Sequence, residues 1–180
     1  MKTRTAVAAD APAIARLHAE SWRVAYRGML QDDYLDRTIY AERQALWEER
    51  FRSAPDKQYV VVAETAGSLT GFACVYGDED AKWGSFLDNL HVAPEQKRQG
   101  IGTVLMAEVA AWSLKSWPTA GMYLWVLESN TSGMRFYVRL GGTPAGEGVW
   151  TPPDGGEYRK LRYAWDRLDG LAVASHPVSG

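Results

Sequence analysis

Leu90-His91-Val92-Ala93-Pro94-Glu95-Gln96-Lys97-Arg98-Gln99-Gly100-Ile101-Gly102-Thr103 runs from an extended apolar segment through a short basic loop into a helix start. Pro94 cannot donate to a strand ladder and ends the extended run. Gly100 and Gly102 let the backbone approach a ligand more closely than side-chain-bearing residues allow. The first amides of a helix lack intrahelical partners and lie at its positive end, so this turn is suited to a phosphate, with Lys97 and Arg98 adding charge. A Walker loop would need a Gly-Lys-Ser/Thr ending and a dinucleotide fold three spaced glycines, and neither is present. A Gly-x-Gly alone is also compatible with a plain tight turn.

Outward from this segment, the hydrophobic period switches between strand and helix. Upstream lie a short strand at residues 3–7, a helix that Asp10 is expected to cap with Pro12 in its first turn, and a second helix over about 41–51. Residues 59–63 and 69–76 are β-rich runs joined at Ala66-Gly67-Ser68 as a hairpin, and 86–92 form a third strand. Ile101, Val104, Leu105, Val109 and Trp112 form the apolar stripe of a helix over 100–116. A strand at 122–127, a helix at 132–140 stopped by Gly141-Gly142, and strands near 143–150 and 157–165 complete the order. This is an α/β (α+β) chain: a mixed, mostly antiparallel sheet of six to seven strands with about four helices on its faces. Residues 1–166 read as one domain and 167–180, small and unpatterned, as a poorly ordered tail.

Composition is that of an ordinary globular protein, with 46% apolar and 23% charged residues among 180. A net charge of −2 argues against a dedicated nucleic-acid binder. The single cysteine, Cys74, excludes an intrachain disulfide and reads as a small strand filler, not a nucleophile. No signal peptide or membrane span is evident, so a cytoplasmic location is the default expectation. A homodimer is the commonest assembly for such a protein.

The loop resembles the GNAT superfamily of N-acetyltransferases, whose signature is Arg/Gln-x-x-Gly-x-Gly/Ala after an apolar-x-Val-x-Pro strand end. Here it stands as Lys97-Arg98-Gln99-Gly100-Ile101-Gly102 after Leu90-His91-Val92-Ala93-Pro94, with Lys97 in place of the usual Arg or Gln. The resemblance implies that residues Lys97, Arg98, Gln99, Gly100, Ile101, Gly102 and Thr103 bind the pyrophosphate of acetyl-CoA. It places the pantetheine arm along the strand carrying Leu90, His91 and Val92. No metal is implied.

Asn130-Thr131-Ser132-Gly133-Met134-Arg135-Phe136-Tyr137-Val138-Arg139-Leu140-Gly141-Gly142 is similar to the family's Asn-x-x-Ala-x-x-Phe-Tyr-x-x-Leu-Gly-Phe element, with Gly133 for Ala and Gly142 for Phe. The resemblance implies that Asn130 contacts the cofactor arm and that the Tyr137 hydroxyl lies near the thioester sulfur. A phenol of pKa about 10 is a competent proton donor to a leaving thiolate at neutral pH. Tyr137 is also compatible with core packing beside Phe136 and Leu140.

Attack on a thioester needs a neutral amine, and hence a proton acceptor. Strict alternation puts Asp88 on the face of Leu90 and Val92, and some family members carry their base at this strand position. Asp88 is the candidate base, or else the partner of a buried arginine. His91 has a suitable intrinsic pKa but points to the opposite face by the same alternation. Trp22 and Tyr26, four apart in the first helix, are candidates to wall the acceptor pocket, either gripping a cation or packing as a helix face. Glu20, Glu79 and Asp80 make an acidic entrance conceivable, or are solvated surface. The expected function is acetyl transfer to a small-molecule or protein amine. The alternatives are a catalytically silent acyl-CoA-binding sensor and, further off, a nucleotide-binding domain.

Overall fold

The computed structural model describes residues 1–152 and 155–172. Its strands form one seven-stranded sheet in the order β1-β2-β3-β4-β5-β7-β6, with β1 at Lys2–Thr5, β2 at Gln58–Thr65, β3 at Ser68–Asp80, β4 at Gly84–Val92, β5 at Met122–Leu127, β6 at Thr143–Trp150 and β7 at Tyr158–Trp165. Only β4 and β5 are parallel; every other pair is antiparallel. The β2–β3 hairpin turns on Ala66 and Gly67, both at positive φ (51° and 80°), the geometry a two-residue turn needs to match strand twist.

Helices cover the sheet on both sides. α3 (Ile101–Ser116) buries Ile101, Leu105, Met106, Val109 and Ala110 against Val61, Ala73, Val75, Leu87, Leu124 and Tyr163. Val104 and Trp112, expected in the same stripe, are only partly covered. On the other face α1 (Ala11–Ala25) and α2 (Ile39–Ser53) enclose Ile14, Leu17 and Trp47 with Val60, Val62, Phe72 and Cys74. Burial pushes the Cys74 thiol up to about 12, so it remains a packed, protonated group. α4 is Thr131–Arg139.

Two local expectations are corrected. Asp10 does not cap α1 with its side chain: Oδ2 accepts from the Val7 amide at 2.8 Å and pairs with Arg4, closing the 3-10 turn Ala8–Asp10 instead. The fold also extends past 166, because Leu168 and Leu171 are apolar enough to bury against α3, and a short helix, α5 (Asp169–Ala172), seats them. Residues 153, 154 and 173–180 of the expected turn and tail lie outside the described residues. No helix among the described residues is long and apolar enough to cross a membrane.

Candidate active site

β4 parts from β5 in the middle of the sheet. Their pairing ends at Phe86↔Tyr123, so Leu87 and residues 89–92 keep their β3 partners but have none on the β5 side. A strand edge of free N–H and C=O groups therefore opens inside the fold. α3 begins just beyond it. Gly100, its N-cap, has φ +82°, and a methyl built there would meet nothing within 4 Å, so glycine is required by conformation and not by crowding. Gly102 is the reverse case: a methyl there would lie 3.2 Å from Phe136 Cζ and 3.7 Å from Leu90 Cδ2, so its absence lets α3 and α4 close together. No side chain caps α3, and the first-turn amides of Ile101, Gly102 and Thr103 have no intrahelical acceptor. Lys97, Arg98 and Gln99 are exposed, Arg98 at φ +66°, and neither cation forms an ion pair among the described residues.

The expected alternation of β4 fails at one residue. Cys74 pairs with Asn89 and Val75 with Leu87, which leaves Asp88 as the extra residue of a β-bulge. Leu87, Leu90 and Val92 consequently all pack toward α3, whereas Asp88 turns to the α1/α2 side and meets Arg50 of α2 at 2.5 Å. Asp88 is thus not on the face of Leu90 and Val92; its Oδ2 also accepts from the Asn89 side chain. His91 lies on the same side as Asp88, its Nδ1 3.0 Å from Ser21 Oγ and its ring 4.6 Å from that of His18. Burial, then the Lys97 charge, pushes His91 down to about 3. Burial likewise holds His18, whose Nδ1 accepts from Trp47 Nε1 at 3.1 Å, well below its ordinary value.

α4 packs on the start of α3 through Phe136 and carries Asn130 at its N-cap and Tyr137 in its last turns. Asn130 caps α4, with Oδ1 accepting from the Gly133 amide at 2.9 Å. A methyl on Gly133 would come within 2.8 Å of Asn130 Nδ2, so the glycine that replaces the family's alanine gives the cap room. Tyr137 packs against Tyr163 and Trp165, on the α3 side of the sheet. Burial, assisted by the neighbouring Tyr26 phenol, raises its pKa above the ordinary 10. Tyr26 is raised too, mainly by burial, with the nearby Asn130 side-chain amide pulling the other way. Gly142 stands where the family has Phe because Trp165 fills that space: a methyl there would lie 2.7 Å from its ring, whose Nε1 donates to Leu140 O at 2.8 Å.

The acceptor side is more aromatic than the first helix alone suggested. Trp22 meets Tyr26 edge-on at 5.1 Å and Trp150 at 5.5 Å, and Trp150 leads on to Tyr158. The guanidinium of Arg43 sits 4.7 Å over Trp22, so that ring already holds a cation of the protein and the pair is a packed wall. Sequence reasoning missed Trp150 and Tyr158; the available signal was an aromatic residue at each end of the loop between the last two strands. Glu20 pairs with Arg16, Asp80 accepts the Lys82 and Trp83 amides, and Glu79 is exposed.

Residues 14–142 match the family model described as the acetyltransferase (GNAT) family. The chain belongs to the GNAT acetyltransferase family. An uncharacterized N-acetyltransferase of Bacillus subtilis, YuaI, is 32% identical over 132 residues, 72% of this chain and 73% of that protein. Among solved structures, the PaiA N-acetyltransferase of Thermoplasma acidophilum in complex with coenzyme A aligns with a TM-score of 0.68 at 21% identity, covering 91% of this chain and 98% of that one. The yncA acetyltransferase of Salmonella typhimurium with acetyl-CoA aligns at 0.66 and 21%, covering 94% of each chain. These two share its fold, and as a GNAT member the chain is an acetyl-CoA-dependent N-acyltransferase.

Proposed function

We propose that this GNAT protein transfers the acetyl group of acetyl-CoA to a primary amine by direct attack within a ternary complex. The observation that carries this reading is the uncapped, exposed start of α3 set against the unpaired edge of β4, with the helix that bears Tyr137 packed on Gly102 through Phe136. The amides of residues 101–103 suit a pyrophosphate, supported by Lys97 and Arg98. The free edge along Leu90, His91 and Val92 suits the amides of a pantetheine arm, as a strand accepts another strand. Coenzyme A in the two solved relatives of the fold is consistent with this fit.

In the transfer, the amine nitrogen attacks the thioester carbonyl carbon, and a β4 backbone N–H on the unpaired edge stabilises the oxyanion. Collapse breaks the C–S bond, and the Tyr137 hydroxyl protonates the departing thiolate. The ammonium proton leaves through water to the Asp88 carboxylate, which the bulge turns to the α1/α2 side and which Arg50 and Asn89 hold through Oδ2. Trp22 and Tyr26 wall the acceptor.

The test is release of coenzyme A thiol against a panel of amines, with acetyl-CoA as donor. Acetylated amine and thiol in equal amounts are expected. Thermal stabilisation by acetyl-CoA with no turnover on any amine would show a silent binding module and overturn the proposal.

A further inference from the structure

The β5–β7 half of the sheet, whose α3 side carries Tyr137, presents a second set of side chains on its other face. Leu124 and Val126 of β5, and Leu161 and Tyr163 of β7, face α3. By strand parity Trp125 and Arg162, which are register partners, face the acceptor side, as do Tyr123 and Lys160. There the Arg162 guanidinium lies 4.5 Å over Trp125, 5.1 Å over Trp83 and 5.6 Å over Tyr123, and Lys160 Nζ lies 4.6 Å over Trp125. Phe86 stacks on Tyr123 at 5.1 Å, so this floor continues to the last paired residue before β4 leaves β5.

Two cations on one face repel each other and ordinarily recruit a carboxylate. Among the described residues none lies within ion-pair distance of Lys160 or Arg162. Asp80 senses the Arg162 charge while its Oδ1 accepts from the Lys82 and Trp83 amides, and the charges of Asp80 and Glu79 both reach Tyr123 of the floor without pairing with either cation. Arg162 Nε is buried without a hydrogen-bond partner. Burial and the charge of Arg162 both lower the Lys160 pKa, as expected for cations held close on an aromatic floor. Such a floor clamps the guanidinium plane and leaves its donors for a planar anion.

We propose that the acceptor is an amine bearing a carboxylate, an amino acid or a chain ending in one, with Arg162 and Lys160 holding the carboxylate over Trp125. This rests on the acetyl-transfer reading above. It differs from an acidic entrance at Glu20, Glu79 and Asp80, which would favour a cationic amine.

The test uses the full chain and acetyl-CoA with free amino acids, their amides and their decarboxylated amines. The best acceptor is expected to carry the carboxylate, exceeding its amide in kcat/KM by about tenfold or more, as for a lost charge-assisted hydrogen bond. Arg162→Gln and Lys160→Met should each pull that ratio toward one while acetyl-CoA still stabilises the protein against heat. If Arg162→Gln does not fold, Lys160→Met, at a partly exposed site, reads the same ratio. Amides and decarboxylated amines acetylated as well as the acids, or a ratio unmoved in folded variants, would overturn the inference and leave acetyl transfer standing. No turnover on any amine would overturn both.

Discussion

Arg50 Nη2 and Asp88 Oδ2 meet at 2.5 Å, tying the middle of α2 to the bulged residue of β4. The side chains are 16% and 22% exposed, and Arg50 also lies 4.9 Å over Trp47. Removing one partner strands the other charge in a largely covered site, which costs more than an exposed pair is worth. Arg50→Met should lower unfolding free energy by about 2 kcal/mol in urea titrations. Wild-type stability in that variant would show that the bulge holds without the pair.

Asp88→Asn keeps the size of the side chain and removes both the proposed proton acceptor and the charge that pairs with Arg50. Turnover with the preferred amine should fall about a hundredfold, within the range for general-base catalysis. Acetyl-CoA affinity, followed by calorimetry, should stay near wild type. A variant with normal turnover under conditions where chemistry limits the rate removes Asp88 from the mechanism.

Tyr137→Phe deletes only a hydroxyl. It should reduce kcat at least tenfold with little change in acetyl-CoA binding, the pattern of an interaction made in the transition state. Because burial raises the phenol pKa above 10, Tyr137 stays protonated throughout the neutral and mildly alkaline range. The kcat profile should therefore show no alkaline loss attributable to this acid below about pH 10.

Gly100 and Gly102 fail in different ways. Gly100→Ala forces a side chain to φ +82° in open space, costing about 1 kcal/mol of stability and weakening acetyl-CoA binding by disturbing the amides. Gly102→Val pushes methyl groups toward Phe136, whose ring is already 3.2 Å from a built Cβ, and should separate α3 from α4 with a larger loss of both. Equal effects in melting and titration experiments would contradict this division.

His18 and His91 are held neutral inside the fold, His91 with a pKa of about 3. Below the unfolded value near 6.5 the unfolded chain binds protons that the native state refuses, so stability falls as pH falls from 6.5 toward 3. His91 contributes up to about 1.4 kcal/mol per pH unit in that window, and His18 acts in the same direction. Urea midpoints at pH 7.5 and 5 should differ, and His91→Gln should shrink the difference. An unchanged midpoint between the two pH values in the wild type argues against the buried neutral pair.

Most of the chain's architecture was legible before any coordinates, because strand and helix periods are local properties of short windows. The hairpin at Ala66 and Gly67, the helix after Gly100 and the Asn130 segment were all readable in this way. Asp88 was misplaced because alternation assumes an unbroken ladder, and a bulge is decided by how β3 and β4 register with each other. The tail was misjudged at residues 167–172 because Leu168 and Leu171 carry no periodic signal; their burial depends on the groove that α3 offers.

The same division runs through the site. Glycine at position 100, the basic loop and the phenol of Tyr137 are chemical identities, and a linear reading suffices to suggest phosphate binding and proton donation. The aromatic wall joins Trp22 to Trp150, and the floor joins Trp125 to Arg162, residues dozens to more than a hundred positions apart. Contacts at such separations are set by sheet order and strand parity, which arise only when the whole chain packs.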